Sequence, residues 1–291
     1  MQLNASGSTE LGSERAPTVR EVAAHFTAEA RYWEAVYQGR PGPAALIYRE
    51  RQAIALNWLD QLQLPAGTPV LEIGCGAGLT SVALAQRGLC VTAVDVSPAM
   101  VELTRRRAAE AGLTGSVTAE LGDAHALAFD ADAFPLVLAV GVLSWLPDMT
   151  RALQELARVL QPRGHLIATA ENRQRLDYLL DPRLNPALRP IRRRIRAALG
   201  RLGRRAGIDQ RLLTKRELLA LTDAAGFDVI EIVPVGFGPF TFLGMRVVPR
   251  GVGVRLHRVL QRLAERSTPG FRSTAAQYVA LLRKRGAHTL S

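Results

Sequence analysis

The feature that most constrains this chain is a glycine-rich turn set between an apolar strand and a helix. Val70–Leu71–Glu72–Ile73 reads as a short strand, and Gly74–Cys75–Gly76–Ala77–Gly78 follows it at once. Leu79 to Gln86 then reads as a helix that Gly88 ends. Glycines in such a turn permit a tight reversal and let a ligand touch the backbone. A glycine-rich loop alone also suits a dinucleotide, so the spacing has to discriminate. The dinucleotide fingerprint needs a glycine or small residue three places after its second glycine, and Leu79 stands there. The acid two places before the first glycine, Glu72, is also outside that fingerprint.

Strands and helices alternate from this point. Cys90 to Val94 is a second strand ending at Asp95, and Ser97–Pro98 starts a helix to about Ala111, with proline where its missing N–H costs nothing. Val117 to Leu121, Phe134 to Val140 and His165 to Ala170 read as further strands, with a helix over Met149 to Leu160. This pattern predicts an α/β fold with a doubly wound, mostly parallel sheet. Two helices precede it. One carries Val22, Phe26, Ala30, Trp33 and Tyr37 at helical spacing; the other runs from about Pro43 to Leu62 with Leu46, Ile54 and Trp58 on a shared face. Further on, Thr214 and Glu217 form a capping box for a helix to Ala225. Phe227 to Val235 is a sixth strand, Gly236 to Gly244 a loop, Val254 to Leu263 an amphipathic helix and Ala275 to Leu282 the seventh strand. The expectation is one seven-stranded sheet with N-terminal helices and helical cap insertions. Residues 1–17 are expected to be a loose tail, 18–64 the leading helices and 65–172 the core. A basic helical insertion follows over 173–212; 213–285 completes the sheet with a cap helix, and 286–291 is a second tail.

Residues 70–80 resemble the first motif of the class I methyltransferases, which in that family binds S-adenosylmethionine. The resemblance assigns Glu72, Gly74, Cys75, Gly76 and Gly78 to that cofactor. Asp95 stands where the family's acid holds the ribose hydroxyls, with Val96 and Met100 behind it to flank the adenine. A carboxylate can accept from both hydroxyls at once. Asp123 and Ala124 stand where the family meets the adenine edge, and Val140 where the methionine part of the cofactor lies. Glu155 to Gly164 resembles the family's helix-to-strand turn, with Arg163 in place of a more usual glycine. The likeness is nearest to the small-molecule and lipid branch, such as the quinone-ring and porphyrin methyltransferases. It is close over about a third of the chain, residues about 68 to 172, and loose through Leu282. One departure stands out: Trp145 occupies the place of a histidine common in the loop after the fourth strand.

The resemblance implies an enzyme whose sulfonium cofactor already activates the methyl group, so no metal is expected. The protein has to align the acceptor and exclude water. A base matters when the acceptor is a neutral hydroxyl or amine. Glu171, at the carboxyl end of the fifth strand, and His125, two places after Asp123, are the candidates put forward, with His25 behind them. Arg51 suits the cofactor carboxylate through charge-assisted bonds. Trp145, Tyr37, Phe240 and Phe242 are expected to face an apolar or lipid-like acceptor, methylated on oxygen.

The formal charge is +11, and Arg183 to Arg211 holds ten arginines against one acid, Asp209. A segment this basic attracts polyanions. Leu184, Leu188, Ile191, Ile195, Leu199 and Leu202 fall on one helical stripe, which predicts peripheral contact of 184–202 with an anionic membrane surface, or packing as a cap. An RNA methyltransferase is a rival reading. Against it, the loop after the fourth strand lacks an Asn/Asp-Pro-Pro-aromatic signature, and no aromatics interleave the arginines, so nucleic acid is not the expected partner. A non-catalytic cofactor-binding subunit of the same fold is the other rival. Two cysteines, Cys75 and Cys90, a polar start and no long apolar run lead us to expect a cytoplasmic protein, peripheral at most to the inner membrane surface. The oligomeric state is left open.

Overall fold

The structure is a computed structural model, and it describes residues 17–38, 43–188, 190–192, 194, 210–238, 240–243, 245–266, 268 and 270–286. Seven strands form one sheet: β1 (Pro69–Ile73), β2 (Cys90–Asp95), β3 (Val117–Leu121), β4 (Phe134–Ala139), β5 (Leu160–Glu171), β6 (Phe227–Val235) and β9 (Gln277–Lys284). Their order is β3-β2-β1-β4-β5-β9-β6, and β9 alone runs antiparallel to its neighbours β5 and β6. The remaining two strands, β7 (Thr241–Phe242) and β8 (Met245–Arg246), pair as a separate hairpin. The expected doubly wound, mostly parallel seven-stranded sheet is therefore present.

The central strands are legible as strands because both of their faces are covered. Leu71 and Ile73 belong to one apolar core, and Val70 to the core on the other side of the sheet. β4 alternates in the same way, with Val137 and Ala139 on one side and Leu136 and Leu138 on the other. A strand buried on both faces must be a continuous apolar run. The order reverses where β1 meets β2 on one side and β4 on the other. Ligands of open α/β sheets bind at such a switch point, beyond the carboxyl ends of the strands.

Helix α4 (Leu79–Ala85) follows β1, and α5 (Pro98–Glu110) follows β2. Ser97 caps α5 by accepting from the Met100 N–H, and Pro98 sits in its first turn. Asp148 caps α6 (Met149–Val159) in the same way. The capping box of Thr214 and Glu217 is fully formed at the start of α8 (Lys215–Ala224). Helix α9 (Arg250–Glu265) is longer than the expected 254–263.

Several local expectations differ. The leading helix is two, α1 (Val19–Ala28) and α2 (Ala30–Gln38), broken at Glu29. In α3 (Pro43–Leu62) the buried face is Ile47, Arg51, Ala55, Trp58 and Leu59, while Leu46 and Ile54 are half-buried. The face thus runs through Ile47 and Ala55, one residue on from Leu46 and Ile54, with Arg51 in its middle and Trp58 on it as expected. β5 starts five residues early, directly off α6. Arg163 takes a left-handed φ of +65° there, which explains why glycine is the easier residue at that turn. The 173–212 segment shows helix α7 (Leu176–Leu180), a single 3-10 turn at Pro186–Leu188 and helical residues 190–192 and 194. Residues 195–209, with Ile195, Leu199 and Leu202 of the expected stripe, lie outside the described residues.

Candidate active site

A cleft of about 1340 Å³, open to solvent, lies over the carboxyl ends of β1, β2, β4 and β5. Its floor is the Gly74–Gly78 turn. At Gly76, φ is +54° and a Cβ would meet nothing within 4 Å, so this backbone faces open space. At Gly74 a Cβ would meet Val142 Cγ2 at 2.3 Å, so that glycine serves close packing instead. Cys75 is buried, and the Thr104 hydroxyl donates to its Sγ at 3.3 Å. Glu72 lies beneath, buried at 3 % exposure and hydrogen-bonded to the Ser81 hydroxyl. Burial pushes its carboxyl up to about 8, against the opposing bonds from Ser81 and Thr80.

Asp95 is held by backbone. Its Oδ2 accepts from Gly76 N–H at 3.0 Å and its Oδ1 from Ser97 N–H at 2.9 Å. Burial raises its pKa and those N–H bonds oppose the rise. Each oxygen keeps lone-pair capacity for a further donor. Val96, Met100, Asp123, Ala124 and Val140 line the same cleft. Gly78 does not: a Cβ there would meet Thr104 Cα at 2.8 Å, so this glycine serves the packing of the turn on α5.

His125 behaves differently from the expectation. It is buried, its Nδ1 lies 2.5 Å from Asp123 Oδ1, and its Nε2 is 3.2 Å from the Asp148 N–H. A backbone N–H can only donate, so Nε2 is the acceptor and the proton sits on Nδ1. Nδ1 is held within the β3 loop and Nε2 ties that loop to the start of α6, so both ring nitrogens are engaged away from the acceptor. His25 is also occupied, 3.5 Å from Glu29 and 5.5 Å from the Trp145 ring.

Glu171 lines the cleft and is buried. Its Oε2 meets Arg175 Nη1 at 3.0 Å, and the Gln277 amide donates to its Oε1. Burial raises its pKa, and Arg175 and Arg51 pull the other way. Arg175 is itself fixed by Asp177 at 2.7 Å and the Gly238 carbonyl at 3.2 Å. Arg51 stacks over the Tyr48 ring at 4.6 Å and reaches Gln277 Oε1 at 3.4 Å. A Cβ on Gly141 would meet Arg51 Nη2 at 2.5 Å, so the guanidinium lies against the end of β4. Sequence reasoning missed Gln277 and Arg175. A glutamine opening an apolar strand and an arginine inside a basic segment give no signal alone.

The roof is aromatic. Trp145, in a 3-10 turn over Leu143–Trp145, packs its ring edge-on to Phe26 at 5.1 Å. Trp33 lies between Phe26 and Tyr48, at 6.1 and 5.6 Å. All four rings line the cleft. The Trp33 Nε1 donor is buried without a protein partner. Phe240 and Phe242, expected at the acceptor, are elsewhere. Phe240 packs on a separate small core with Phe237, and Phe242 is 46 % exposed on the β7–β8 hairpin. Phe240 is taken up by that small core, and Phe242 pairs with Met245 in the β7–β8 hairpin, where both side chains are exposed. The side chain of Tyr37 lies outside the described residues.

A methyltransferase domain model matches residues 71–168. Residues 71–168 thus form a methyltransferase domain, and the chain is similar to class I S-adenosylmethionine-dependent methyltransferases. This methyltransferase is 27% identical over 222 residues to the ubiquinone biosynthesis O-methyltransferase of Pseudomonas entomophila, covering 76% of this chain and 88% of that one. To the enzyme of the same name from Coxiella burnetii (strain RSA 493 / Nine Mile phase I) it is 30% identical over 141 residues, 48% of this chain and 58% of that one. Its fold resembles magnesium protoporphyrin IX methyltransferase from Synechocystis PCC 6803, solved with bound SAH, at TM-score 0.61 and 16% identity over 92% of this chain and 100% of that one. It also resembles the SpnF cyclase at TM-score 0.63 and 20% identity, over 93% and 97% of the two chains. A shared fold thus spans different reactions, and the site has to carry the functional argument. Its residues fit the S-adenosylmethionine of this family: an open glycine turn, an acid with spare acceptor capacity at a ribose position, and a buried cation at the far end. Among the described residues no cluster suited to a metal ion occurs.

Proposed function

We propose that the protein methylates a hydroxyl oxygen on an apolar, lipid-like acceptor. The observation that carries this is the aromatic roof of Phe26, Trp33, Tyr48 and Trp145 closing over a polar floor. The names of its relatives, ubiquinone biosynthesis O-methyltransferases, agree with such an acceptor. The cofactor supplies a methyl group on a sulfonium. On this reading Gly74, Cys75, Gly76, Asp95, Val96, Met100, Asp123, Ala124 and Val140 seat it, with Glu72 beneath the turn and Gly78 closing the turn against Thr104. Arg51 faces its carboxylate. Trp145 and Trp33 cover the acceptor and exclude water. The free Trp33 N–H donates to a ring oxygen of the acceptor. Glu171 takes the hydroxyl proton as the new carbon–oxygen bond forms, while Arg175 and Gln277 fix its orientation.

The acceptor is met at a membrane surface in this reading, at the inner, cytoplasmic face, with residues 184–202 contributing. Leu184 and Ile191 are exposed as that role requires, whereas Arg192 turns inward to the carbonyls of Pro182 and Asn185. No described helix is long and apolar enough to cross a membrane. Turnover with labelled S-adenosylmethionine tests the chemistry. A catechol bearing a short prenyl chain should gain one methyl on oxygen, detected by mass. Methylation confined to RNA or to small hydrophilic metabolites would overturn the proposal.

A further inference from the structure

Large exposed apolar side chains are not spread evenly over this molecule. Among the described residues fifteen are exposed, and ten of them fall in two stretches, 179–191 and 242–259. The two stretches are joined. Arg183 donates from Nη1 to the Leu243 carbonyl at 2.7 Å, and the Leu243 N–H donates to Asp181 Oδ1 at 3.0 Å. These bonds seat the β7–β8 hairpin beside the end of α7. The corner so formed presents Leu179, Leu180, Leu243, Met245 and Val247, with Met245 68 % exposed.

Helix α9 begins three residues after Val247. Val252, Arg255, Val259 and Arg262 are spaced three, four and three apart, which places them on one helical face. All four are exposed. Helix α9 is held from behind. His257 is fully buried and bonded to Glu50 of α3 at 2.8 Å, and Gln261 Nε2 donates to the Pro234 carbonyl at 3.0 Å. The outer face of α9 is therefore presented by a rigidly seated helix. The charge is one-sided as well. From Gly236 to Ala264 there are five arginines and no Asp or Glu.

We propose that the β7–β8 hairpin, the end of α7 and the outer face of α9 form a docking surface for an anionic phospholipid bilayer. Aliphatic side chains on an exposed hairpin can enter the acyl boundary, while arginines beside them meet headgroup phosphates. An acid-free stretch of this length meets no repulsion from an anionic leaflet. A folded protein partner would be matched by a packed pocket with aromatic anchors; the exposed apolar side chains of this corner are, apart from Phe242, aliphatic. Patches of this kind on a monomer surface mark interaction sites. The inference deepens the reading of a lipid-like acceptor, and it moves the main contact from 184–202 to the hairpin and α9.

Sedimentation of the full chain with vesicles tests it. One set is phosphatidylcholine alone, and the other contains about a third phosphatidylglycerol. Wild type should sediment with the anionic set at low salt and be released at high salt as charge is screened. The triple variant Leu243→Ser, Met245→Ser, Val247→Ser should partition about tenfold less, since its apolar insertion is gone. The pair Arg255→Gln, Arg262→Gln should lose several-fold, and only on anionic vesicles. Leu219→Ser with Ile230→Ser, exposed residues outside the corner, should match wild type. Calorimetry with S-adenosylhomocysteine reports whether each variant is folded, and the arginine pair carries the test if the triple variant is not. Equal sedimentation of wild type and both corner variants overturns the proposal. So does a wild-type dimer that the triple variant abolishes while vesicle binding is unchanged. Vesicle binding without methylation of the prenyl catechol would sink the acceptor and leave the docking surface. Methylation by a protein that ignores vesicles would do the reverse.

Discussion

The floor of the cleft and its far wall are built by opposite means. On the floor, Asp95 is fixed by N–H groups of Gly76 and Ser97, nineteen and two residues away, and every ligand-facing group sits within a turn of a strand end. On the far wall, Arg51, Glu171, Arg175 and Gln277 come from α3, β5, the loop after it and β9, and side chains hold one another. Backbone donors in fixed turns give a rigid, pre-aimed floor. Side-chain networks give a wall whose geometry depends on every member. The floor should therefore respond to substitution by losing cofactor affinity, and the Glu171 network of the wall by losing turnover.

The largest expected effect is on the wall. Glu171→Gln keeps the shape and removes the proton acceptor, so turnover should fall about a hundredfold, the lower range for general base loss. S-adenosylhomocysteine affinity measured by calorimetry should stay within about twofold, because the change touches no floor group. His125→Asn should lower Tm and leave turnover close to wild type, since both of its nitrogens are structural ties. If the two variants exchange these phenotypes, the assignment of base and tie is wrong.

Next comes the floor. Asp95→Ala removes a buried carboxylate that accepts from the floor turn and, in the proposed complex, from the ribose. A charge-assisted hydrogen bond is worth about 1.5–3 kcal/mol, so affinity for S-adenosylmethionine should drop tenfold or more. Circular dichroism should still show a folded chain. Wild-type affinity in a folded Asp95→Ala protein would mean that the floor is not the cofactor site.

This contrast also explains what the sequence could disclose. The floor was legible because its geometry is local: a buried strand is an apolar run, a reversal needs glycine, and an acid at a strand end or two residues beyond it stays near it. The wall was not. Glu171 and Arg51 could be named from position, yet nothing in a single sequence says that Gln277, 106 residues from Glu171, would bond to it. Phe240 and Phe242 were misplaced for a related reason. An apolar loop after a strand reads as pocket lining until a separate core takes up Phe240 and a hairpin exposes Phe242. His125 read as a candidate base, and only the tertiary position of Asp148 makes it a tie.

A smaller effect separates the roof from both. Trp33→Phe keeps the ring that packs on Phe26 and Tyr48 and deletes the unpartnered N–H. With the prenyl catechol as acceptor, its KM should rise several-fold, the cost of one hydrogen bond to a neutral oxygen, with cofactor affinity unchanged. A change in cofactor affinity instead would place that N–H on the cofactor side.

The smallest effect lies under the floor and appears as a pH dependence of stability. Burial pushes the Glu72 carboxyl up to about 8, from an ordinary value of 4.5 in the unfolded chain. Between these two values the folded protein holds a proton that the unfolded chain releases. Stability from this group is therefore complete below about pH 4.5 and is lost progressively as pH rises towards 8. Glu72→Gln is neutral at every pH and can still accept from Ser81 through its amide oxygen, so it should remove that slope. Thermal unfolding of the free protein at pH 6, 7 and 8 reads the difference: the variant's Tm should gain on wild type by a few degrees across the series. A constant gap between the two proteins over this range would mean that Glu72 is ionised in the folded state. The floor would then be built around a buried charge, and the comparison of floor and wall would need redrawing from that residue upward.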